Sequence, residues 1–191
     1  MAVVIFIICL VMSGFRQKDV NKRIIVSSMD YRKHNRLILF AGSMHALLVW
    51  ALFVTLGAVL IGKTIFTVRG AMFMANALIF TVCCLSAALL ISAVVTDKNI
   101  INGIVNVVAL GSAFLCGAFV PAQWLPESVL LAAHALPAYW YINSNDILKT
   151  VEEMSAAALR PVFVNMAALL GFTLLFIIIT NMVSSKKRKI A

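Results

Sequence analysis

Gly117-Ala-Phe-Val-Pro-Ala-Gln-Trp-Leu-Pro-Glu127 is a proline-interrupted stretch that separates two long apolar runs, and Leu136-Pro-Ala-Tyr-Trp-Tyr141 soon follows it. Each proline removes a backbone donor that a helix would use, and an unsatisfied backbone group in lipid costs several kcal/mol. A spanning helix is therefore not expected here. The stretch is too apolar for a solvated loop, and its Trp and Tyr rings favour the level of the lipid headgroups. We predict a re-entrant or interfacial helical element within an extracellular region at 121–160.

The overall composition is typical of a membrane protein. Of the 191 residues, 63% are hydrophobic and 12% are charged, and the mean hydropathy is +1.03. Runs near the length that crosses a bilayer predict four spanning helices, at 37–62, 71–95, 100–120 and 161–183. A further run at 2–15 is about 21 Å long as a helix, against a hydrocarbon core of about 30 Å. The sequence thus predicts an all-α integral membrane protein: one transmembrane domain over 1–191, with about five spanning helices, the first of them truncated.

The distribution of positive charge predicts the orientation in the membrane. The chain contains 16 Lys and Arg residues, and most lie on one side of the predicted spans, in 16–36, 96–99 and 184–191. The exceptions are Lys63, Arg69, Lys149 and Arg160. The positive-inside rule places the 16–36 connector, the 96–99 turn and the basic 184–191 tail in the cytoplasm, and the N-terminus outside. We therefore expect a multi-pass protein of a bacterial cell membrane with a cytoplasmic C-terminus.

The net charge of +9 is explained by this orientation signal and by attraction to anionic lipid headgroups. Nucleic acid is not expected as a partner, because the basic residues flank spans and do not form a groove with stacking aromatics. The cysteines all lie within apolar runs, without a C-x-x-C pair or a histidine at ligand spacing. They are expected to be small buried residues, with neither a disulfide framework nor a metal site.

Few residues of the predicted spans carry chemistry. His45 is the one ionisable group in the four clear spans. It is either a functional group at membrane depth or, in the favoured interpretation, a neutral side chain bonded to a neighbouring helix.

Glu127 and His134 lie seven residues apart, and an interfacial hydrogen-bonding pair is favoured there over a catalytic dyad. Since nucleophile, base and orienting group are not clustered, an enzyme is not expected.

The predicted third span carries a stripe of asparagines and small residues on one face. Intervals of three and four residues keep these side chains on one side of a helix. The stripe consists of Asn102, Asn106, Ala109, Ala113 and Gly117. Small residues allow close helix approach and asparagines bond across it, so the stripe is either a packing face within the chain or a dimer or pathway surface. Its spacing does not separate the two.

The cytoplasmic connector contains a short amphipathic pattern. Val20 and Ile24 lie one helical turn apart, and Ser27 or Ser28 is suited to cap a following helix. A short interfacial helix of this kind can transmit force from a soluble partner. The alternative, a solvated topology signal, is favoured on the chemistry of these residues alone.

The order of these features resembles the ABC type-2 permease family, the membrane subunits of ATP-binding cassette exporters. The resemblance covers nearly the whole chain and rests on the basic connector, the order of spans and turns, and the patterns Gly117-x-x-x-Pro121, Leu125-Pro126 and Leu136-Pro137-x-x-x-Tyr141. It implies short re-entrant external helices that cap a translocation path. The gate residues would then be Gly117, Pro121, Pro126, Pro137 and Tyr141.

The same resemblance implies that the connector holds a coupling helix in contact with an ATPase. The residues concerned are Lys22, Arg23, Ile24, Ile25 and Ser27. No phosphate-binding G-x-x-x-x-G-K-[ST] pattern occurs, so no cofactor is expected in this chain, and ATP and Mg²⁺ are expected in the partner. Family members typically have six helices per half, so the chain is similar to the C-terminal portion of a permease, with 2–15 as the tail of the family's second helix.

The function implied is that of a permease subunit of an ATP-binding cassette exporter. It would move a lipophilic drug, peptide or lipid-like substrate out of the cell, as in multidrug efflux, using ATP hydrolysis in a separate subunit. The expected partners are a cytosolic ABC ATPase, a second permease copy or paralogue forming a dimer, and the lipid bilayer. A non-transporting membrane scaffold, or an immunity or assembly protein, is the alternative.

Overall fold

The structure, a computed structural model, describes residues 5, 7–9, 31–95, 97–120, 124–151 and 155–190. All the regular secondary structure in these ranges is helical. The helices are α1 (Tyr31–Ile61), α2 (Val68–Val94), α3 (Lys98–Leu115), α4 (Glu127–Ala133), α5 (Pro137–Thr150) and α6 (Ala156–Ile190), and a 3₁₀ turn (Gly62–Phe66) joins α1 to α2. Helices α1, α2, α3 and α6 are long and apolar enough to cross a membrane. The prediction of an all-α membrane protein with four clear spans is confirmed.

The spans differ from their predicted ranges mainly at their ends. Helix α3 ends before Gly117, whose φ of 92° is a conformation that side-chain-bearing residues rarely adopt. Helix α6 begins before Pro161 because the Oγ of Ser155 accepts a hydrogen bond from the backbone N–H of Ala158 at 3.3 Å. Pro161 therefore lies inside the helix, where its missing N–H removes one backbone hydrogen bond. The backbone of α6 also continues through the predicted basic tail as far as Ile190.

Short connections between the first three spans are held by side-chain caps. Thr67 precedes α2, and its Oγ1 accepts a hydrogen bond from the N–H of Gly70 at 3.3 Å. Asp97 precedes α3 and accepts from the N–H groups of Asn99 and Ile100 at 2.8 and 3.3 Å. Each cap satisfies backbone donors that would otherwise lack a partner at the helix start. These turns therefore fix where α2 and α3 begin.

Helix α2 is the centre of the described bundle. In α2, 33% of the most apolar spanning segment is buried, against 6% in α1, and α2 packs most extensively on α6, then on α1 and α5. Its buried residues are small or polar: Gly70, Asn76, Cys83, Cys84, Ser86, Ala88, Ser92 and Ala93. Small residues allow neighbouring backbones to approach closely, which drives helix association in lipid. The positions of α1, α5 and α6 therefore depend on their packing against α2.

The predicted short first run contributes to the core where it is described. Ile5, Ile8 and Cys9 are buried and pack with Ala88 of α2 in one apolar cluster, which also includes residues of α1 and α3. The Sγ of Cys9 lies 3.4 Å from the carbonyl oxygen of Ala88. All four cysteines are buried, as expected for small core residues.

Candidate functional site

The proline-rich region between α3 and α6 folds as two short helices. Pro126 immediately precedes α4 and Pro137 is the first residue of α5. A proline suits the first turn of a helix, where its missing N–H would have no partner in any case, but it stops a preceding helix from continuing. With 7 residues in α4 and 14 in α5, neither helix is long enough to span a bilayer. The predicted helical element before the last span is confirmed; we call it the α4–α5 element.

A buried asparagine joins this element to the central span. The Nδ2 of Asn76 in α2 donates to the backbone carbonyl of Tyr141 at 3.1 Å and to the Oδ1 of Asn145 at 2.9 Å. Beside these bonds the rings of Phe80 and Tyr141 stack, with centroids 4.3 Å apart and planes inclined by 7°. Two hydrogen bonds and one aromatic stack therefore attach the turn of α5 from Tyr141 to Asn145 to α2.

Three further polar atoms, one each on α2, α5 and α6, are buried without a hydrogen-bond partner in the described part of the chain. They are the Oδ1 of Asn76, the Oγ of Ser144 and the Nδ2 of Asn165. The set contains both donors and acceptors, and polar groups between membrane helices act as interhelical contacts. Sequence reasoning did not identify these residues, although Asn76 and Asn165 stand out as single amides within apolar runs.

An aromatic corner connects α4 to α5. The Nε1 of Trp140 donates to the carbonyl of His134 at 3.0 Å, and the His134 ring lies 4.1 Å from that of Tyr139, centroid to centroid. The Nδ1 of His134 is 2.6 Å from the carbonyl oxygen of Leu130. The expected Glu127–His134 pair is not formed, because this geometry turns the imidazole toward its own helix and the rings of α5.

Cys116 is buried against the α4–α5 element. It packs with Ala133 and Ala138 in a small apolar cluster. Burial raises the pKa of the Cys116 thiol, and a hydrogen bond with the backbone of Tyr139 offsets part of this rise. The thiol is thus covered by the two short helices that follow it in sequence.

The residues expected to form the gate are placed as follows. Gly117 ends the third span with a positive φ, Pro126 and Pro137 begin the short helices, and Tyr141 stacks on Phe80. Pro121 lies outside the described residues. Tyr141 also lines a cavity of about 360 Å³ bounded by α1, α2, α3 and α5.

The stripe on α3 divides between two environments. Asn102 and Asn106 are exposed, and the Nδ2 of Asn106 donates to the Oδ1 of Asn102 at 3.3 Å. Ala109 and Ala113 instead line the 360 Å³ cavity within the chain. The residues expected to couple to an ATPase, Lys22, Arg23, Ile24, Ile25 and Ser27, lie outside the described residues. For the buried Nε2 of His45, no partner lies in the ranges that the structure describes.

Together these features define a multi-pass helical membrane protein with a short helical pair before its last span. The sequence model of the family described as ABC-2 type transporter matches residues 1–145. Since this match covers more than half of the chain, the protein belongs to the ABC-2 type transporter family. It is thus the membrane component of an ABC transporter, a component that is generally not itself catalytic and that associates with an ATPase subunit and the membrane. Neither a curated protein nor a solved structure matches the chain.

Proposed function

We propose that the chain is a permease subunit that exports a lipophilic substrate, driven by ATP hydrolysis in a separate cytosolic subunit. The observation that carries this proposal is the attachment of the α4–α5 element to α2 through Asn76 and Tyr141, in a chain whose family is that of ABC-2 type transporters. A short helical pair held on the central span is suited to cap a pathway at one end. The positive-inside rule favours the outer end.

The movement of the ATPase subunits would be transmitted to the permease at the opposite end, through the connector at 16–36. This segment runs directly into α1, in which only 6% of the most apolar spanning segment is buried. A helix with so few buried residues can shift against α2 at low cost. Closure of the ATPases would press on Arg23 and Ile24, move α1, and shift the permease between inward-open and outward-open populations.

A second permease copy would complete the pathway. The exposed Asn102 and Asn106 on α3 support this step, because asparagine amides at membrane depth favour a hydrogen-bonding partner on another helix. The apolar lining of the cavity beside Tyr141 favours a lipophilic cargo. Multidrug efflux is one form that such transport would take.

The test is purification of the full chain from native membranes in mild detergent, followed by mass spectrometry of what accompanies it. A stoichiometric ATPase with a Walker-type phosphate loop is expected. The pair is then reconstituted into vesicles to measure ATP-dependent movement of a lipophilic dye. A chain that purifies without an ATPase, or a complex that hydrolyses ATP without moving dye, would favour a membrane scaffold or assembly protein.

A further inference from the structure

Three of the buried polar atoms that have no hydrogen-bond partner in the described ranges lie on helices that pack against one another. They are the Oδ1 of Asn76 in α2, the Oγ of Ser144 in α5 and the Nδ2 of Asn165 in α6. Each of these three helices contacts the other two, and the three residues are at most 4% exposed. Their side chains therefore face the interior of this part of the bundle.

The hydrogen bonds of Asn76 place Ser144 at the same level of the bundle. The Nδ2 of Asn76 donates to the carbonyl of Tyr141 and to the Oδ1 of Asn145. Ser144 belongs to the single turn of α5 that contains both acceptors. The buried hydroxyl thus lies on the part of α5 that Asn76 contacts.

A contact two turns further along α2 places Asn165 at this level too. The side chains of Cys83 in α2 and Thr173 in α6 share a hydrogen bond. The first turns of both helices meet in one apolar cluster, so the two helices run in the same direction. Asn76 precedes Cys83 by seven residues, about two helical turns, and seven residues before Thr173 is Met166, next to Asn165. The three polar side chains therefore share one level.

The Ser144 hydroxyl also differs from other buried hydroxyls of the described helices. Those of Ser86, Ser112 and Thr173 each donate to a carbonyl of their own helix, whereas the Oγ of Ser144 has no such partner. Buried polar groups are generally hydrogen-bonded, to protein or to ordered water. The hydroxyl of Ser144 is therefore available to a partner between the helices.

We propose that one water molecule is bound between α2, α5 and α6 by Asn76, Ser144 and Asn165. The three atoms do not bond to one another, and water commonly bridges polar groups separated in this way. Water can donate to the Oδ1 of Asn76, accept from the Nδ2 of Asn165 and bond to the Ser144 hydroxyl, and three bonds are typical of a buried water. A metal cation fits less well, because the Nδ2 is a donor. The inference concerns how α5 is held on two spans and does not depend on transport.

The first test is a structure of the full chain, with any ATPase that accompanies it, at a resolution that shows ordered water. We expect one density peak within hydrogen-bonding distance of Asn76, Ser144 and Asn165. X-ray radiolysis gives a second measurement, because radicals formed from a bound water oxidise the residues beside it. Met166 should be oxidised although it is buried, and Asn165→Leu should suppress this oxidation.

Two pairs of variants test whether the side chains share a partner. Ser144→Ala and Asn165→Leu should each lower the folded-to-unfolded ratio several-fold. Their combined effect should be clearly less than the product of the two, because either change releases the same water. Ser86→Ala removes a buried hydroxyl that donates to the carbonyl of Cys83, and its effect should multiply with that of Asn165→Leu. Unfolding in a denaturing detergent, followed by circular dichroism, gives the ratios.

Three results would overturn the proposal. A structure in which two of the three side chains bond directly, or in which no density lies between them, would remove the water. Effects of Ser144→Ala and Asn165→Leu that multiply as fully as those of the control pair would show that the two residues share no partner. Stabilisation by sodium or potassium chloride, but not by choline chloride at the same concentration, would identify a cation site. None of these measurements requires transport, so the result is independent of the search for an ATPase.

Discussion

The Nδ2 of Asn76 donates to the Oδ1 of Asn145 at 2.9 Å, joining two helices whose residues lie 69 positions apart in the sequence. The same amide donates to the carbonyl of Tyr141, and α5 has no side-chain hydrogen bond at its N-cap. The position of α5 on the bundle therefore depends on contacts with its neighbours more than on its own capping.

Asn76→Ala should destabilise the protein by about 1 kcal/mol, because interhelical hydrogen bonds in membranes contribute on that order. The substitution leaves the Oδ1 of Asn145 without this donor. Unfolding in a denaturing detergent, followed by circular dichroism, measures the loss. Asn99→Ala, at an exposed amide in the first turn of α3, is the matched control and should change stability by less than about 0.5 kcal/mol. Equal losses in both variants would contradict the assignment.

The stack of Phe80 on Tyr141 predicts a difference between two substitutions at one position. Tyr141→Phe keeps the ring and should unfold at nearly the temperature of the unmodified protein. Tyr141→Ala removes it and should cost about 0.5–1.5 kcal/mol beyond the loss of buried area. The backbone carbonyl that accepts from Asn76 is present in both variants. If Tyr141→Phe were as damaging as Tyr141→Ala, the hydroxyl and not the stack would be the important group.

Replacement by alanine should destabilise the protein at Gly117 but not at Gly111. Gly117 has a φ of 92°, so Gly117→Ala should destabilise by about 1 kcal/mol or more. Gly111 lies within α3, and an added Cβ there would meet no atom within 4 Å. Gly111→Ala should therefore be neutral or stabilise by up to about 1 kcal/mol. Thermal unfolding of the two purified variants provides the comparison, and a tolerated alanine at 117 would show that the chain turns differently after α3.

Cys116 provides a probe of the α4–α5 element. With the other cysteines replaced by alanine, maleimide should label it much more slowly at neutral pH than a free thiol, because it is covered and its raised pKa leaves little of the reactive thiolate. Labelling should increase as the pH rises toward that pKa. Trp140→Phe removes the hydrogen bond to the carbonyl of His134 and should accelerate labelling. A rate equal to that of free cysteine in the unmodified protein would mean that the element does not cover the thiol.

Substitutions in the connector at 16–36 test the proposed coupling between the permease and its ATPase. Arg23→Glu or Ile24→Asp should reduce stimulation of the partner ATPase several-fold while leaving membrane insertion unchanged. Lys18→Gln, outside the proposed contact residues, is the control. ATPase rates of the reconstituted complex, alongside protease protection of the C-terminus, separate coupling from insertion. Unchanged stimulation in both variants would move the coupling contact elsewhere.

Hydropathy was sufficient to predict α1, α2, α3 and α6, because a run near twenty apolar residues has few other stable outcomes in a bilayer. It was less informative about where they end. Pro161 suggested the start of the last span, yet the helix begins earlier, since Ser155 caps it and a single lost backbone bond is tolerable. Helix ends depend on individual caps and φ angles, which a hydropathy average does not resolve.

Residues of the candidate site were predicted from the sequence only where they mark helix boundaries. Pro126, Pro137 and Gly117 mark helix boundaries, so their positions were visible in the sequence. Asn76 was not identified, because a lone amide in an apolar run has no periodic signal and its partner is distant in sequence. The Glu127–His134 spacing suggested a pair that tertiary packing against Tyr139 prevents.

The distance in sequence between Asn76 and its acceptor also has a consequence for biosynthesis. Chains are made at roughly 5–20 residues per second, so the ribosome needs about 3–14 s to make the 69 positions that separate Asn76 from Asn145. During that interval α2 has left the ribosome while α5 is unfinished. The amide of Asn76 must then be satisfied by water, by the insertion machinery or by α1, which the short 3₁₀ turn keeps beside it. We therefore expect α5 to dock after α2 has been made, when the Tyr141 carbonyl and the Oδ1 of Asn145 become available to accept from Asn76.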